Sequence, residues 1–317
     1  MKIGFIGLGN VGGKLAGSLL RNGHSLMVRD LNPELVAEFA ARGAEVANSP
    51  RELGEACEVI ITCLPSPAAS AAVAEGPDGF VAVMKPGQVW LEMSTTDYEE
   101  VIRLGEVVSA RGALFMECPV SGGCHRADTG NISIFAGGPR EGFDKVLPLL
   151  RSMGRRILHT GDLGTASRLK VMTNYLCTVH LVALAEALTT CKAAGLDMNT
   201  TYEAIRISSG NSFVHETESQ VILNGSRDIN FTMDLVSKDI GLFDEIAQRH
   251  NVPVEMSPLI VRLFKEARAR YGDREFSPNI IRRYEEPLGL KVLGTGFPDQ
   301  MVDDEPEEPG YEVVPRR

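Results

Sequence analysis

The sequence lacks a long apolar run, a C-x-x-C pair and any excess of positive charge. Its uninterrupted apolar stretches are shorter than about 18 residues, so we expect no transmembrane helix. The first apolar run is short and broken by glycines, which argues against a signal peptide. The net charge of −10 argues against nucleic acid or an anionic membrane surface as a partner.

The six cysteines form no recognisable disulfide or metal-binding pattern. They are Cys57, Cys63, Cys118, Cys124, Cys177 and Cys191. Most stand inside apolar runs, which is typical of packed, reduced thiols and predicts a cytoplasmic or similarly reducing location. A zinc site from Cys118, Cys124 and His125 is conceivable, but the spacing matches no standard ligand pattern, so no metal is expected.

A glycine-rich turn stands near the start of the chain, between the apolar strand KIGFI and a helix-like segment. It reads Gly7-Leu8-Gly9-Asn10-Val11-Gly12. In such a setting Gly7 permits a tight turn, Gly9 lets a pyrophosphate approach the backbone, and Gly12 allows close packing of helix and sheet. The next strand, HSLMVRD, ends on Asp30, 18 residues after Gly12. This context predicts a dinucleotide site.

The type of dinucleotide is indicated by Asp30. An acid at this position accepts hydrogen bonds from the ribose hydroxyls and repels a 2′-phosphate, so NAD is favoured over NADP. Arg29 complicates this prediction, because an arginine nearby can meet that phosphate. Strand alternation points Arg29 away from Asp30.

The first half of the chain alternates strands and helices. Strands are expected at 58–65, 88–95, 113–120 and 132–138, with helices at 97–111 and 140–153. Repeated alternation predicts an α/β fold, a Rossmann-type doubly wound, mainly parallel sheet, over residues 1–162. Ligands bind beyond the carboxyl ends of such strands.

The second half is predicted to be all-helical, over residues 163–286. It begins with about thirty residues free of internal glycine and proline that are apolar almost all round, which indicates a buried helix. Residues 287–317 are acidic and contain several prolines, and we expect a flexible tail or an arm that orders on a neighbouring subunit.

Lys170 is the candidate for proton transfer, because it stands near the start of the long apolar helix. Asn174 follows one turn later on the same helical face. A lysine in an apolar crevice has a lowered pKa and can act as a general acid or base near neutral pH. The alternative is that Lys170 extends to solvent, as most lysines do.

Six motifs in order resemble the β-hydroxyacid dehydrogenases, the 3-hydroxyisobutyrate dehydrogenase-like group. They read GFIGLGNVGGKLAGSL, TCLP, EMST, ECPVSGG, GTASRLKVMTN and FTMDLVSKDIGL. The similarity runs from residue 3 to about residue 284. It implies a 6-phosphogluconate dehydrogenase-like fold and an interlocked homodimer or homotetramer that pairs through the helical domain.

The resemblance also implies roles for individual residues. Lys170 corresponds to the family's general acid/base, and Asn174 to an amide that positions the substrate. Ser121 with the backbone N–H groups of Gly122 and Gly123 would hold the substrate carboxylate. The cofactor would be contacted by Leu64, Pro65, Ser94, Thr95, Phe231 and Lys238.

The sequence departs from the family pattern at several positions. Glu117 replaces an aspartate, Thr173 an asparagine and Ala166 a glycine. His125 and Arg126 follow the substrate glycines, where members differ according to substrate. They could reach a further anionic group or could be ordinary loop residues, and the substrate stays open.

We therefore predict an NAD-dependent oxidoreductase that interconverts a short 3-hydroxy acid and its semialdehyde. The alternatives are an imine reductase on the same scaffold and a protein that binds NAD without turnover. The presence of Lys170 argues against the first, and the combination of Lys170, Asn174 and Ser121-Gly122-Gly123 against the second.

Overall fold

The computed structural model describes residues 1–316 and divides the chain into two compact units. The first, called here the sheet unit, comprises Met1–Lys170 and the C-terminal segment that begins at Asp304. The second, called the helical unit, comprises Val171–Asp303. The division falls at Lys170, eight residues beyond the boundary at 162 that the sequence suggests.

The sheet unit is built on one large sheet whose strands are short and apolar. The strands are β1 Ile3–Ile6, β2 Leu26–Arg29, β3 Glu45–Val46, β4 Val59–Thr62, β5 Val89–Glu92, β6 Leu114–Glu117, β7 Val120–Ser121, β8 Ser133–Gly137, β9 Arg156–Gly161 and β10 Tyr311–Glu312. Their order is β10-β9-β8-β6-β5-β4-β1-β2-β3, with β7 beside β8. The predicted strand at 113–120 is divided into β6 and β7 around Cys118-Pro119.

The order of the strands in the sheet reverses between β1 and β4. The strands from β1 to β3 extend one way and those from β4 to β6 the other, and all these neighbours pair in parallel. β8 pairs antiparallel with β6 and β7. Such a reversal leaves a crevice beyond the carboxyl ends of β1 and β4, which is where ligands bind in sheets of this kind. The doubly wound, mainly parallel fold is confirmed.

Both faces of this sheet are covered, as strand alternation requires. Phe5, Ile61 and Leu91 belong to the hydrophobic cluster on one face, whereas Ile60 and Trp90 belong to a separate cluster. Because adjacent residues of a strand point to opposite faces, β1, β2, β4, β5 and β6 each contribute to both clusters.

Helices flank the sheet and form the helical unit. They are α1 Asn10–Arg21, α2 Pro33–Ala41, α3 Pro50–Ala56, α4 Pro67–Glu75, α5 Tyr98–Ser109, α6 Cys124–Thr129, α7 Arg140–Leu150, α8 Thr165–Ala193, α9 Met198–Arg206, α10 Phe213–Asn224, α11 Met233–Arg249, α12 Met256–Tyr271 and α13 Arg282–Leu288. Several begin at a capping side chain followed by proline, as in Ser49-Pro50 and Ser66-Pro67. Such caps satisfy backbone N–H groups that have no partner within the helix.

α8 is the one helix among residues 1–316 that is long and apolar enough to cross a membrane by composition alone. Core helices of soluble proteins pass the same test. The sequence predicts a buried helix, and within one chain α8 leaves Leu169 and Leu176 42% and 52% exposed. Composition shows how apolar a helix is, but not which of its faces pack against other elements.

The residues predicted as a flexible or arm-like tail pack on this chain instead. Val292 is fully buried in the core of the helical unit. Further on, β10 extends the sheet by pairing in parallel with β9, and Glu305 bridges Arg126 and Arg156. These long-range contacts leave no periodic signal in the local sequence.

Candidate active site

The glycine turn between β1 and α1 has the shape of a phosphate cradle. Gly7 has a φ of 96°, and a Cβ there would lie 2.3 Å from the carbonyl oxygen of Cys63. A Cβ at Gly12 would lie 2.0 Å from the carbonyl oxygen of Gly7, whereas one at Gly9 would meet no atom within 4 Å. The turn is thus closed toward the sheet and open at Gly9. The N–H groups of the first turn of α1 give this opening a preference for anions, so the turn fits a pyrophosphate.

Asp30, directly after β2, is tied to the same turn. Its carboxylate accepts the N–H of Leu8 at 2.6 Å and the N–H of Asn32 at 2.8 Å. The neighbouring Arg29 donates to the backbone carbonyl of Asp30. Leu31, which follows, is 92% exposed. The acid therefore lies at the edge of the cradle, with an apolar side chain next to it.

The loops after β4 and β5 are joined by a buried hydrogen-bond network. The N–H of Leu64 donates to Ser94 Oγ at 2.7 Å, and the N–H of Ser94 donates to Glu92 Oε1 at 2.8 Å. Thr62 Oγ1 donates to the other oxygen of Glu92 at 3.0 Å and accepts Trp90 Nε1–H at 2.7 Å. Burial raises the pKa of Glu92, and these hydrogen bonds oppose that shift.

This network brings the predicted cofactor residues of two loops together. Leu64 and Pro65 lie in one loop, and Ser94 and Thr95 in the other. These loops leave the carboxyl ends of β4 and β5, and because β4 pairs in parallel with β1 they lie at the same edge of the sheet as the glycine turn.

The predicted substrate loop follows β7. Ser121 pairs with Ser133 of β8, and the next two residues, Gly122 and Gly123, have φ values of 133° and 88°. Side chains other than glycine rarely adopt this region, so both glycines are needed for the turn. Arg126, one turn into α6, donates to Glu305 at 3.0 Å.

Lys170 lies on α8 and is 7% exposed. Asn174 follows by four residues, one helical turn later. Its Nδ2 donates to Asp239 of α11. Lys238 Nζ is 2.9 Å from the other oxygen of the same carboxylate, and Phe231 packs at the edge of the helical core.

Three acids make contacts that the sequence did not reveal, two of them within the sheet unit and one within the helical unit. Glu92 joins the two cofactor loops, Glu117 contacts the first turn of α8, and Asp239 holds both Asn174 and Lys238. The only available signals were the positions of Glu92 and Glu117 at strand ends and of Asp239 beside Lys238. Residues 1–316 contain no group of three or more His, Cys, Asp or Glu side chains able to hold a metal ion.

Comparison with known proteins identifies the family. A family model described as the NAD binding domain of 6-phosphogluconate dehydrogenase matches residues 2–161. A second, described as NAD-binding of NADP-dependent 3-hydroxyisobutyrate dehydrogenase, matches residues 164–284. Together they span both units up to α13.

Individual relatives agree with these models. The chain is 33% identical over 295 residues to 2-(hydroxymethyl)glutarate dehydrogenase of Eubacterium barkeri, covering 93% of this chain and 98% of the relative. It is 32% identical over 295 residues to the mitochondrial 3-hydroxyisobutyrate dehydrogenase of Mus musculus, covering 90% and 88%.

Solved structures give the same result. The 3-hydroxyisobutyrate dehydrogenase of Salmonella typhimurium superimposes with a TM-score of 0.81 at 27% identity, over 89% of this chain and 99% of that one. An imine reductase of Myxococcus stipitatus, at 16% identity and a TM-score of 0.62 over 90% and 99%, shares the fold alone. The chain therefore belongs to the β-hydroxyacid dehydrogenase family and is an NAD(P)-dependent hydroxyacid oxidoreductase.

Proposed function

We propose that the protein interconverts a short 3-hydroxy acid and its semialdehyde, with Lys170 as the general acid/base. The observation that carries this proposal is the burial of Lys170 on α8, with Asn174 one turn away. Lysine side chains are rarely buried, so a buried lysine one helical turn from an amide side chain favours a chemical role.

The proton moves at Nζ of Lys170. In oxidation the neutral amine takes the proton of the substrate hydroxyl, and in reduction the ammonium form donates a proton to the developing alkoxide. The nicotinamide, when bound, supplies the acceptor or donor of the hydride. The protein itself contributes position and charge stabilisation.

The substrate carboxylate is held by Ser121 and by the backbone N–H groups of Gly122 and Gly123. Backbone donors in a glycine turn suit an anion because they carry no bulk and point outward together. The amide of Asn174, whose orientation is fixed by Asp239, positions the reacting end of the substrate.

The cofactor we propose is NAD. The carboxylate of Asp30 at the edge of the cradle suits ribose hydroxyls and repels a 2′-phosphate. The exposed side chain next to it, Leu31, is uncharged, and the guanidinium of Arg29 is engaged with the backbone carbonyl of Asp30. The remaining contacts come from Gly7, Leu8, Gly9, Asn10, Val11, Gly12, Leu64, Pro65, Ser94, Thr95, Phe231 and Lys238.

The substrate is a monocarboxylic acid in this proposal. The named relatives act on hydroxy acids that include a dicarboxylate. In this chain Arg126 pairs with Glu305, which supports a structural role for Arg126 over binding of a second anionic group.

We propose further that the protein is a cytoplasmic homodimer or homotetramer. The exposed apolar side chain of Leu176 lies on the part of α8 that belongs to the helical unit, which favours pairing through that unit. All six cysteines are reduced, with no disulfide between them, in agreement with a reducing compartment.

The test is a panel of short hydroxy acids assayed with NAD and with NADP, for the wild-type chain and for Lys170→Ala. We expect NAD-linked turnover of a 3-hydroxy monocarboxylic acid. The variant should lose about 10³-fold or more in kcat while NADH binding, followed by fluorescence, is retained. Near-normal turnover by Lys170→Ala would refute the role of Lys170, and equal use of NADP would refute the cofactor preference.

A further inference from the structure

Polar side chains occupy the carboxyl ends of three neighbouring strands of the sheet unit. Thr62, Glu92 and Glu117 are register partners at the ends of β4, β5 and β6. The two carboxyl groups are fully buried. Glu92 serves the loops after β4 and β5, but Glu117 has partners from a different part of the chain.

Glu117 accepts hydrogen bonds from the first turn of α8. Its Oε1 accepts the N–H of Ala166 at 2.9 Å, and its Oε2 accepts the N–H of Ser167 at 3.0 Å together with the Ser167 hydroxyl. The first N–H groups of a helix lack partners within it and carry a positive partial charge. Glu117 is therefore the cap of α8, although it lies 49 residues before Ala166 in sequence.

The chemistry of this contact requires a carboxylate. All three partners donate, and a carboxylate offers acceptors only, whereas an amide would turn an N–H₂ group toward one of the donors. Burial raises the pKa of Glu117, and the same hydrogen bonds oppose that shift.

The fit around Glu117 is close. Gly137 of β8 lies opposite, and a Cβ there would be 2.3 Å from Glu117 Oε1. The glycine thus leaves room for the long side chain to extend toward α8. An aspartate at 117, shorter by one methylene, would not reach both N–H groups from the same backbone.

The position of Glu117 along the chain links two parts of the proposed site. Lys170 follows Ser167 by three residues on the anchored first turns of α8, within the sheet unit. Along the chain from β6, Ser121 follows Glu117 by four residues and leads into the substrate loop. One carboxylate therefore joins the helix that carries the lysine to the strand that leads into the substrate loop.

We infer that Glu117 is a positioning residue, which sets Lys170 against the substrate loop by capping α8 from the end of β6. This inference rests on the proposed function of Lys170. A displacement of about 1 Å at a reacting group costs roughly 10²-fold in rate, so loss of the cap should be visible in turnover.

The experiment compares Glu117→Gln with Glu92→Gln, which removes an equally buried charge from the adjacent register position without touching α8. The first readout is amide hydrogen exchange in the full chain. We expect faster exchange in peptides covering residues 164–171 for Glu117→Gln and no change there for Glu92→Gln.

The second readout is turnover per NADH-binding site with the best acid of the panel. We expect Glu117→Gln to lower kcat about 10- to 100-fold with an unchanged Kd for NADH, and to increase the deuterium isotope effect from label at the carbinol carbon. Glu92→Gln should instead weaken NADH binding. A general loss of stability would reduce the number of NADH sites but would leave kcat per site and the isotope effect unchanged.

The inference is overturned by wild-type exchange at 164–171 in Glu117→Gln, or by a kcat per site within twofold of wild type. If no acid of the panel is turned over by the wild-type chain, the proposed function fails, whereas the exchange data still decide whether Glu117 anchors α8. If Glu117→Gln does not fold, Ser167→Ala replaces it. This variant removes one donor to Glu117 and keeps the charge, and we expect a smaller change in both readouts.

Discussion

Asp239 contacts two side chains that have different roles in the proposed function. One oxygen accepts from Nδ2 of Asn174, the proposed substrate amide, and the other lies 2.9 Å from Nζ of Lys238, the proposed cofactor contact. Asp239 is buried, and a buried acid is stable only when such partners surround it. Removing the charge of Asp239 should therefore disturb both Asn174 and Lys238. Kinetics with the acid and with NAD varied in turn can separate the two effects.

We expect Asp239→Asn to lower kcat/KM for the hydroxy acid about 10-fold, because a hydrogen bond to a charged group contributes roughly 1.5–3 kcal/mol. The matched variant is Lys238→Met, which keeps an unbranched side chain without the ammonium group and leaves the contact between Asn174 and Asp239. It should raise the KM for NAD and spare the KM for the acid. Steady-state kinetics with each substrate varied in turn measure both effects, and an Asp239→Asn enzyme with unaltered kcat/KM for the acid would contradict the role of Asp239.

The sequence predicts the candidate site residues that follow strands, but not the acids that hold them. Ser94 and Ser121 stand after apolar runs, and carboxyl ends of parallel strands meet at one edge of a sheet. The partners of Glu117 and Asp239 are 50 and 65 residues away. Nothing in local periodicity encodes such a contact, because the partners of Glu117 include backbone N–H groups, which every residue except proline carries.

At the scale of elements, long segments with clear periodicity were predictable and short ones were not. The strands β1, β2, β4, β5 and β8 and the helices α5 and α7 lie where the sequence predicts them. β3, β7 and β10 have two residues each, and α6 has six. Elements of this length are stabilised by contacts with other elements of the fold, and those elements are distant in sequence.

The C-terminal segment illustrates such dependence on a neighbour. β10 pairs with the edge strand β9, and the N–H of Val313 continues the ladder to Ile157 at 2.7 Å. Arg140 forms a two-bond contact with Glu312, and Glu305 lies between Arg126 and Arg156. The segment therefore covers an edge that would otherwise present unpaired backbone groups.

We expect a chain truncated after Asp303 to have a lower Tm and to aggregate more readily, since the edge of β9 becomes exposed. Truncation after Val313 retains β10 and its ladder and should behave like the full chain. The charged contacts are partly exposed and contribute little, about 0–1 kcal/mol each, so most of the difference should persist at 1 M salt. Thermal melts and light scattering of the three chains decide the matter. Equal Tm values for all three would mean that the segment does not stabilise the sheet unit.

At the scale of the whole molecule, stability derives from separate cores. The sheet unit has one hydrophobic cluster on each face of its sheet, and the helical unit has its own. A titrating group in one core therefore affects the stability of that unit first. Glu218 of α10 is such a group in the helical unit, where it is buried and its Oε1 lies 3.7 Å from Cys177 Sγ on α8.

Burial raises the pKa of Glu218 from its ordinary value of 4.5 to about 8. Below pH 4.5 the carboxyl is protonated in both the folded and the unfolded chain, and the neutral group in the core has no cost. As the pH rises from 4.5 to 8, the unfolded chain releases a proton that the folded chain retains, so the free energy of unfolding falls.

The variant Glu218→Gln is neutral at every pH and should escape this loss. We expect its stability relative to the wild-type chain to increase steadily between pH 5 and pH 8 and then to level off. The total is a few kcal/mol at most, because one pKa unit corresponds to about 1.4 kcal/mol. Urea unfolding of both chains at unit pH intervals measures the difference, with Glu216→Gln, an exposed site on the same helix, as the control. A stability difference that stays constant with pH would mean that Glu218 ionises in the folded chain much as it does in the unfolded one, and that the helical core admits its charge.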